Sequence, residues 1–209
     1  MVVDGRLLLD AGAPLLPHMR QCGVNPGDID ALFLTHFHGD HTLGLPPFVL
    51  YRVFVDQRPL TVVGPEGVEQ RMEMLFEASW GKDWNLVMRP RFEVTYQIAA
   101  PSGTAAGYHY DSIKLDHGTG GSIGYRFHIN GVVLAYSGDT EPTPPLDKLV
   151  EGTDVAIVEA TGPGDVFSHM NWEAAGELKK RHPKTRFLFN HIYSGTVEGA
   201  VSDLQVVEV

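Results

Sequence analysis

Seven consecutive residues constrain this chain more than any others: Thr35-His36-Phe37-His38-Gly39-Asp40-His41. They place three imidazoles and a carboxylate within six residues. The apolar run Ala31-Leu32-Phe33-Leu34 leads into them, and Leu43-Gly44-Leu45-Pro46-Pro47 follows. A short run of that character, bounded by turn signals, reads as a buried strand. Polar groups crowded at the end of such a strand cost free energy unless they find a partner. Imidazole and carboxylate are the donors that zinc and related divalent metals favour, so the pattern predicts a metal site.

The same setting recurs along the chain. Met1 to Leu9 reads as a hairpin about Asp4-Gly5 and ends at Asp10. His117 follows the strand-like Ile113-Lys114-Leu115. Gly124 to Ile129 and Val132 to Tyr136 form a hairpin about Asn130-Gly131, which runs into Ser137-Gly138-Asp139-Thr140. Arg186 to Phe189 reads as a strand that ends at Asn190-His191. Strands of one sheet that finish on the same edge bring such residues together, so the pattern predicts a site assembled from distant parts of the chain.

Between these segments lie helices. Pro17 to Gln21, Phe48 to Val55, Val68 to Ala78, Leu146 to Val150 and Trp172 to His182 read as helical, the last capped by Asn171. Leu60 to Val63 and Asp154 to Val158 read as strands, with a last strand over Leu204 to Val209. Ser79 to Asn85, which holds Trp80 and Trp84, reads as a loop, and Glu159-Ala160-Thr161-Gly162 as a connection. Mixed strands and helices without repeat or linker predict one domain over residues 1–209.

Composition narrows the function classes. A net charge of -10 lacks the basic footprint of a general nucleic-acid binder. The single cysteine, Cys22, rules out an internal disulfide framework and fits a reducing cytoplasm. No apolar run approaches the length of a membrane span. Gly118, Gly120 and Gly121 lack the Lys-Ser/Thr of a phosphate loop and read as a turn. His18, His128 and His182 read as surface or hairpin residues, and His109 as a strand residue at a core or edge position.

The order of these motifs resembles the metallo-β-lactamase fold superfamily, with its His-x-His-x-Asp-His, lone His, lone Asp and lone His. The ribonuclease Z-like branch is the nearer resemblance. Its Leu-Pro, Gly-Pro-x-Gly, His before Gly-Tyr and Ser-Gly-Asp-Thr correspond to Leu45-Pro46, Gly64-Pro65-Glu66-Gly67, His117 before Gly124-Tyr125, and Ser137 to Thr140. The branch's further histidine before a helix matches His169, in Ser168-His169-Met170-Asn171.

The resemblance implies an α+β fold, a four-layer αββα sandwich. It implies two divalent metals, zinc first, with manganese and iron as alternatives. One would take His36, His38 and His117, the other Asp40, His41 and His191, with Asp139 bridging. Asp10 would orient a ligand imidazole. Asp40 and His169 would be the catalytic groups, with a metal-bridging hydroxide as nucleophile and His169 facing the scissile group. The implied activity is phosphodiester hydrolysis. Hydrolysis of a β-lactam, lactone, thioester or aryl sulfate by the same metals is the alternative, and an inactive metal-stabilised binding subunit is the other. Di-iron electron-transfer members carry Glu where this chain has His38.

Two departures from the family pattern refine this. Members usually begin with a further strand pair and a Gly-rich turn before the segment that is Met1 here. The chain therefore reads as N-terminally incomplete, with a sheet edge that is open or covered by a second copy in a homodimer. The tRNA-processing members insert a long arm where this chain has only Asn130-Gly131, and the segment after His191, Ile192 to Asp203, is short. Small-molecule substrates, with no tRNA and no membrane partner, are the expectation.

Overall fold

The runs Leu7–Leu9, Ala31–Phe33 and Leu60–Gly64 carry no charged side chain, as strands covered on both faces require. In the computed structural model, which describes residues 1–208, they become parallel neighbours in one sheet. The chain divides into two compact units, Met1–Ala99 and a second from Ala100 onward.

The first unit holds a sheet of β1 (Val2–Val3), β2 (Leu7–Leu9), β3 (Ala31–Phe33), β4 (Leu60–Gly64) and β5 (Val94–Ile98), in that spatial order. β1 pairs antiparallel with β2, and β2 to β5 run parallel. Leu9 lies opposite Phe33, so β2 and β3 end together. Helices α1 (Leu15–Gln21), α2 (Gly39–Thr42), α3 (Leu45–Phe54) and α4 (Val68–Trp80) belong to this unit. Its core joins Leu8, Leu32 and Val62 of the sheet to Phe48, Val49 and Val53 of α3 and Met72 and Phe76 of α4.

The expected loop over Ser79–Asn85 is mostly helical instead. Trp80 closes α4, and Trp84 opens a π-type turn, Trp84–Met88. Trp84 is fully buried. Its ring centroid lies 4.7 Å from that of Phe76, and its Nε1–H donates to Glu73 Oε2 at 2.6 Å. A buried indole needs such an acceptor, and α4 supplies it. Trp84 is therefore a packing residue.

The second unit holds β6 (Ser102–Ala105), β7 (Tyr108–Leu115), β8 (Ser122–Ile129), β9 (Val132–Tyr136), β10 (Val155–Glu159) and β11 (Arg186–Asn190), spatially in the order β11-β10-β9-β8-β7-β6. β6 to β9 meander antiparallel, while β9, β10 and β11 are parallel. Asn130 and Gly131 both take positive φ (52° and 85°), as a two-residue hairpin turn requires. Helix α5 (Pro144–Val150) connects β9 to β10, and α6 (Trp172–Arg181) connects β10 to β11. Asn171 Oδ1 accepts from Ala174 N at 2.9 Å at the start of α6. Arg181 grips Asp147 of α5 with two hydrogen bonds, at 2.8 and 2.9 Å. Among the described residues, the two sheets and six α-helices are the α+β content expected. The expected terminal strand is absent from Leu204 to Glu208, and Val209 lies outside the described residues. No helix among the described residues is long and apolar enough to cross a membrane.

Arg52, on α3, is 0% exposed. Its Nη1 donates to the carbonyls of Pro26, Gly27 and Ile29, and its Nη2 to those of Arg58 and Pro59. One guanidinium thus ties the segments that precede β3 and β4 to the helix over them. Arg52→Ala would leave these carbonyls short of a donor and lower stability by about 3 kcal/mol or more. A urea unfolding midpoint checks this, and a loss below about 1 kcal/mol would show that water replaces the guanidinium without penalty.

Candidate metal centre

In the first unit a single carboxylate organises the histidine cluster. Asp10 follows β2 directly and takes φ = 52°, a backbone conformation unfavourable for a non-glycine residue. Its Oδ1 accepts from Thr35 N at 2.8 Å. Its Oδ2 accepts from the Thr35 hydroxyl at 2.9 Å and meets His41 Nδ1 at 2.8 Å. An ionised carboxylate only accepts, so His41 carries its proton on Nδ1 and keeps its lone pair on Nε2.

His36 is fixed by the same logic one step removed. The Thr35 hydroxyl gives its proton to Asp10, so its oxygen accepts from His36 Nδ1, 3.0 Å away. That leaves the lone pair of His36 on Nε2 as well. The His36 ring centroid lies 4.5 Å from that of His38 and 4.2 Å from that of His41. Asp40 Oδ2 lies 3.6 Å from His41 Nε2. Three imidazoles and a carboxylate thus meet at the ends of β2 and β3.

Close backbone packing seats this cluster. Ala11 N donates to His41 O at 2.7 Å, and Gly44 N to Ala11 O at 2.8 Å. A Cβ on Gly12 would lie 2.2 Å from Asp40 O, and one on Gly44 would lie 2.5 Å from Gly12 O. Only glycine at both positions allows the turn after β2 to press against α2.

The second unit carries its own cluster on one sheet edge. Strands β9, β10 and β11 are parallel, with Ile157 opposite Tyr136 and Glu159 opposite Asn190. Asp139, Glu159 and His191 therefore leave the sheet side by side. β7 runs in the same direction as β9, being antiparallel to the strand between them, so His117 emerges there too. His117 Nδ1 donates to Ser168 O at 2.8 Å, which leaves its lone pair on Nε2, 3.7 Å from Asp139 Oδ2. His191 Nε2 lies 3.6 Å from Asp139 Oδ1, and His169 Nδ1 lies 3.8 Å from Asp139 Oδ2. Ser168 and His191 take positive φ, at 62° and 55°.

Glu159 is the residue that sequence reasoning missed. It is fully buried. It accepts from Thr140 N, from the Thr161 hydroxyl at 2.6 Å and from His169 Nδ1 at 2.9 Å. Its Oε2 also lies 3.5 Å from His191 Nδ1. Burial alone would push its pKa up, but its hydrogen bonds to His169 and His191 outweigh this and hold it below the ordinary glutamate value. The hydrogen bond that His169 donates to Glu159 raises the pKa of His169 against the opposing effect of burial. The signal was available: Glu159 ends the apolar run Val155–Val158, the same setting as Asp10 and His191.

Asp139, Glu159, His169 and His191 each offer one ligand atom, all within 4.8 Å of one another. The donor sets of both units fit divalent metal. Several imidazoles have their Nδ1 protons engaged and their Nε2 lone pairs fixed, and carboxylates stand beside them. Glu159 already accepts three hydrogen bonds, which suits it to orienting its neighbours rather than binding metal.

The other histidines lie apart from these clusters. His109 is exposed and bonded to Thr104, His128 is exposed near Asp111, and His182 contacts Asp147.

Comparison with known proteins agrees with this arrangement. The family described as "Beta-lactamase superfamily domain" matches residues 5–192. A ribonuclease Z of Thermococcus kodakarensis is 23% identical over 253 aligned residues, covering 94% of this chain and 78% of that protein. A ribonuclease Z of Mycobacterium bovis is 27% identical, covering 86% and 68%. The crystal structure of the metallo-β-lactamase fold protein YhfI from Bacillus subtilis superposes with a TM-score of 0.72 at 18% identity, covering 95% of this chain and 80% of that one. With the strand-end histidines and carboxylates, these matches place the chain in the β-lactamase superfamily as a metal-dependent hydrolase of the metallo-β-lactamase fold.

Proposed function

We propose that this chain is a dinuclear metal-dependent phosphodiesterase acting on small phosphodiesters. The observation that carries the reading is the Glu159–His169 pair beside Asp139 and His191. It sets a proton-bearing imidazole among metal donors, which suits cleavage of a bond with a basic alkoxide leaving group. The ribonuclease Z relatives support it, since a ribonuclease breaks phosphodiester bonds.

In this reading His36, His38 and His117 would hold one ion, Asp40, His41 and His191 the other, and Asp139 would serve both. Zinc suits so imidazole-rich a donor set, with manganese and iron as alternatives. When bound, two such ions supply Lewis-acid polarisation and make hydroxide available at neutral pH.

The chain's own residues do the rest. Asp10 holds the His41 proton on Nδ1, and through Thr35 that of His36, so both Nε2 lone pairs would be available to metal. The Ser168 carbonyl does the same for His117. Glu159 holds His169 by Nδ1 and favours its protonated form, and the imidazolium's Nε2–H is the group that donates to the departing oxygen. Small substrates are favoured over tRNA because only the two residues Asn130 and Gly131 join β8 to β9, where the tRNA-processing branch has its arm. The acidic net charge of -10 points the same way.

Two experiments test the assignment. Elemental analysis of active protein should find two metals per chain, with hydrolysis of bis(p-nitrophenyl) phosphate. His36→Ala should lose metal and lower activity by about 100-fold or more, as expected when a ligand to a catalytic metal is removed. Full metal content in that variant would sink the ligand set, and turnover of a lactam, lactone or sulfate ester with no diester cleaved would replace the substrate class.

His169→Ala should keep its metals. Its kcat should fall about 10²- to 10⁴-fold on diesters with an alkoxide leaving group. The loss should be far smaller with p-nitrophenolate, which departs without a proton. Equal losses on both leaving groups would remove His169 from proton donation.

A further inference from the structure

Two large aromatic side chains stand exposed on the segments that carry His169 and His191. Tyr193 is 65% exposed and Phe167 is 85% exposed. A lone exposed aromatic is ordinary. These two are set apart by the anchoring of their backbones and by the neighbours of Tyr193.

The Tyr193 ring lies 5.0 Å from that of His191 and 6.3 Å from that of His169. Those two imidazoles stack on each other at 5.2 Å with an interplanar angle of 20°. The three rings make a continuous array that begins at the site and ends at an exposed face. The backbone beneath Tyr193 is held on both sides. Tyr193 N donates to Thr161 O at 3.1 Å. Two residues on, Gly195 sits so close to Trp172 that a Cβ there would come within 2.6 Å of the indole. The indole is itself tied by Nε1–H to Ala160 O at 3.1 Å.

Phe167 is held by its neighbours in the same way. Ser168 O accepts from His117 Nδ1 at 2.8 Å, His169 N donates to Val166 O at 3.1 Å, and Asp165 Oδ1 accepts from Asn171 Nδ2 at 2.7 Å. Neither aromatic belongs to the hydrophobic cores. A flat apolar face held rigidly beside a reaction site gains free energy by stacking on a flat apolar group, and is tolerant of which ring it meets.

We propose that Tyr193, assisted by Phe167, is a stacking surface for an aromatic substituent of the substrate, a nucleobase or an aryl ester group. The site then prefers aromatic phosphodiesters to alkyl ones. This rests on the phosphodiesterase reading and adds the substrate class to it.

The test uses two chromogenic esters with one leaving group, thymidine 5′-(p-nitrophenyl phosphate) and methyl p-nitrophenyl phosphate, on metal-loaded protein. Tyr193→Ala and Tyr193→Leu should each raise KM for the thymidine ester about tenfold, while Tyr193→Phe retains it. Phe167→Ala should give a smaller rise. An unchanged KM for the methyl ester assigns the ring to the nucleobase. An equal rise for both esters assigns it to the nitrophenyl group. Unchanged KM for both esters in Tyr193→Ala, or a leucine variant as good as the parent, overturns the proposal.

Calorimetric binding of thymidine 5′-monophosphate and of methyl phosphate separates this from the parent reading. If the unmodified protein cleaves neither ester, the phosphodiesterase assignment fails. The stacking surface then stands only if Tyr193→Ala weakens thymidine 5′-monophosphate about tenfold and leaves methyl phosphate unchanged. Equal affinities in parent and variant overturn it.

Discussion

A buried carboxylate must be saturated with donors, and each unit of this chain meets that constraint by the same device. Asp10 and Glu159 both stand at the end of a parallel strand, and both are buried. Both draw their donors from one backbone N–H, one threonine hydroxyl and one imidazole Nδ1: Thr35 and His41 for Asp10, Thr140, Thr161 and His169 for Glu159. The cost of burying the charge is offset by three hydrogen bonds, each to an ionised acceptor. What the arrangement produces is direction. An imidazole that gives its Nδ1 proton to a fixed carboxylate presents Nε2 at a fixed angle.

The parallel registers make this possible. Antiparallel strands would send alternate ends to opposite edges, whereas β2 and β3, and again β9, β10 and β11, finish together. The chain must then turn sharply just past the strand, and it does so with strain. Asp10 and His191 hold positive φ directly after β2 and β11, and Ser168 does so beside His169. Gly138, at φ = 59°, serves the same need before Asp139 without a Cβ to oppose it.

Much of this was legible in the sequence because periodicity and chemistry coincide at strand ends. An uncharged run followed at once by His, Asp or Glu is a conflict between burial and polarity, and function resolves it. Asp10, the Thr35 to His41 stretch, Asp139 and His191 are visible at or just past such runs, whereas His117 follows a strand that carries Lys114 and is legible only from the order of the motifs. Glu159 meets the same criterion, but a single acid without nearby histidines in sequence looks like an ordinary turn residue. Its partner His169 is ten residues away, across a loop whose path no local pattern reveals. Trp84 misled for a related reason. Tryptophan in the mostly polar stretch after Gly81 reads as loop, but the acceptor that permits its burial, Glu73, lies eleven residues back on α4. The tail from Leu204 has strand-like composition but, among the described residues, forms no strand, and β composition without a paired neighbour does not make one.

The two clusters also bear on stability. Asp139 and Glu159 are both buried, both touch His169 and His191, and repel each other. Hydrogen bonds satisfy Glu159, but no arrangement of neutral donors cancels the like charge between the two. A cation among these residues converts that repulsion into attraction. A folded chain that held metal here would gain from it what the unfolded chain, with its ligands dispersed, would not. Metal affinity and folding would then be linked through the same residues, and an ion held there would tie together the ends of β9, β10 and β11.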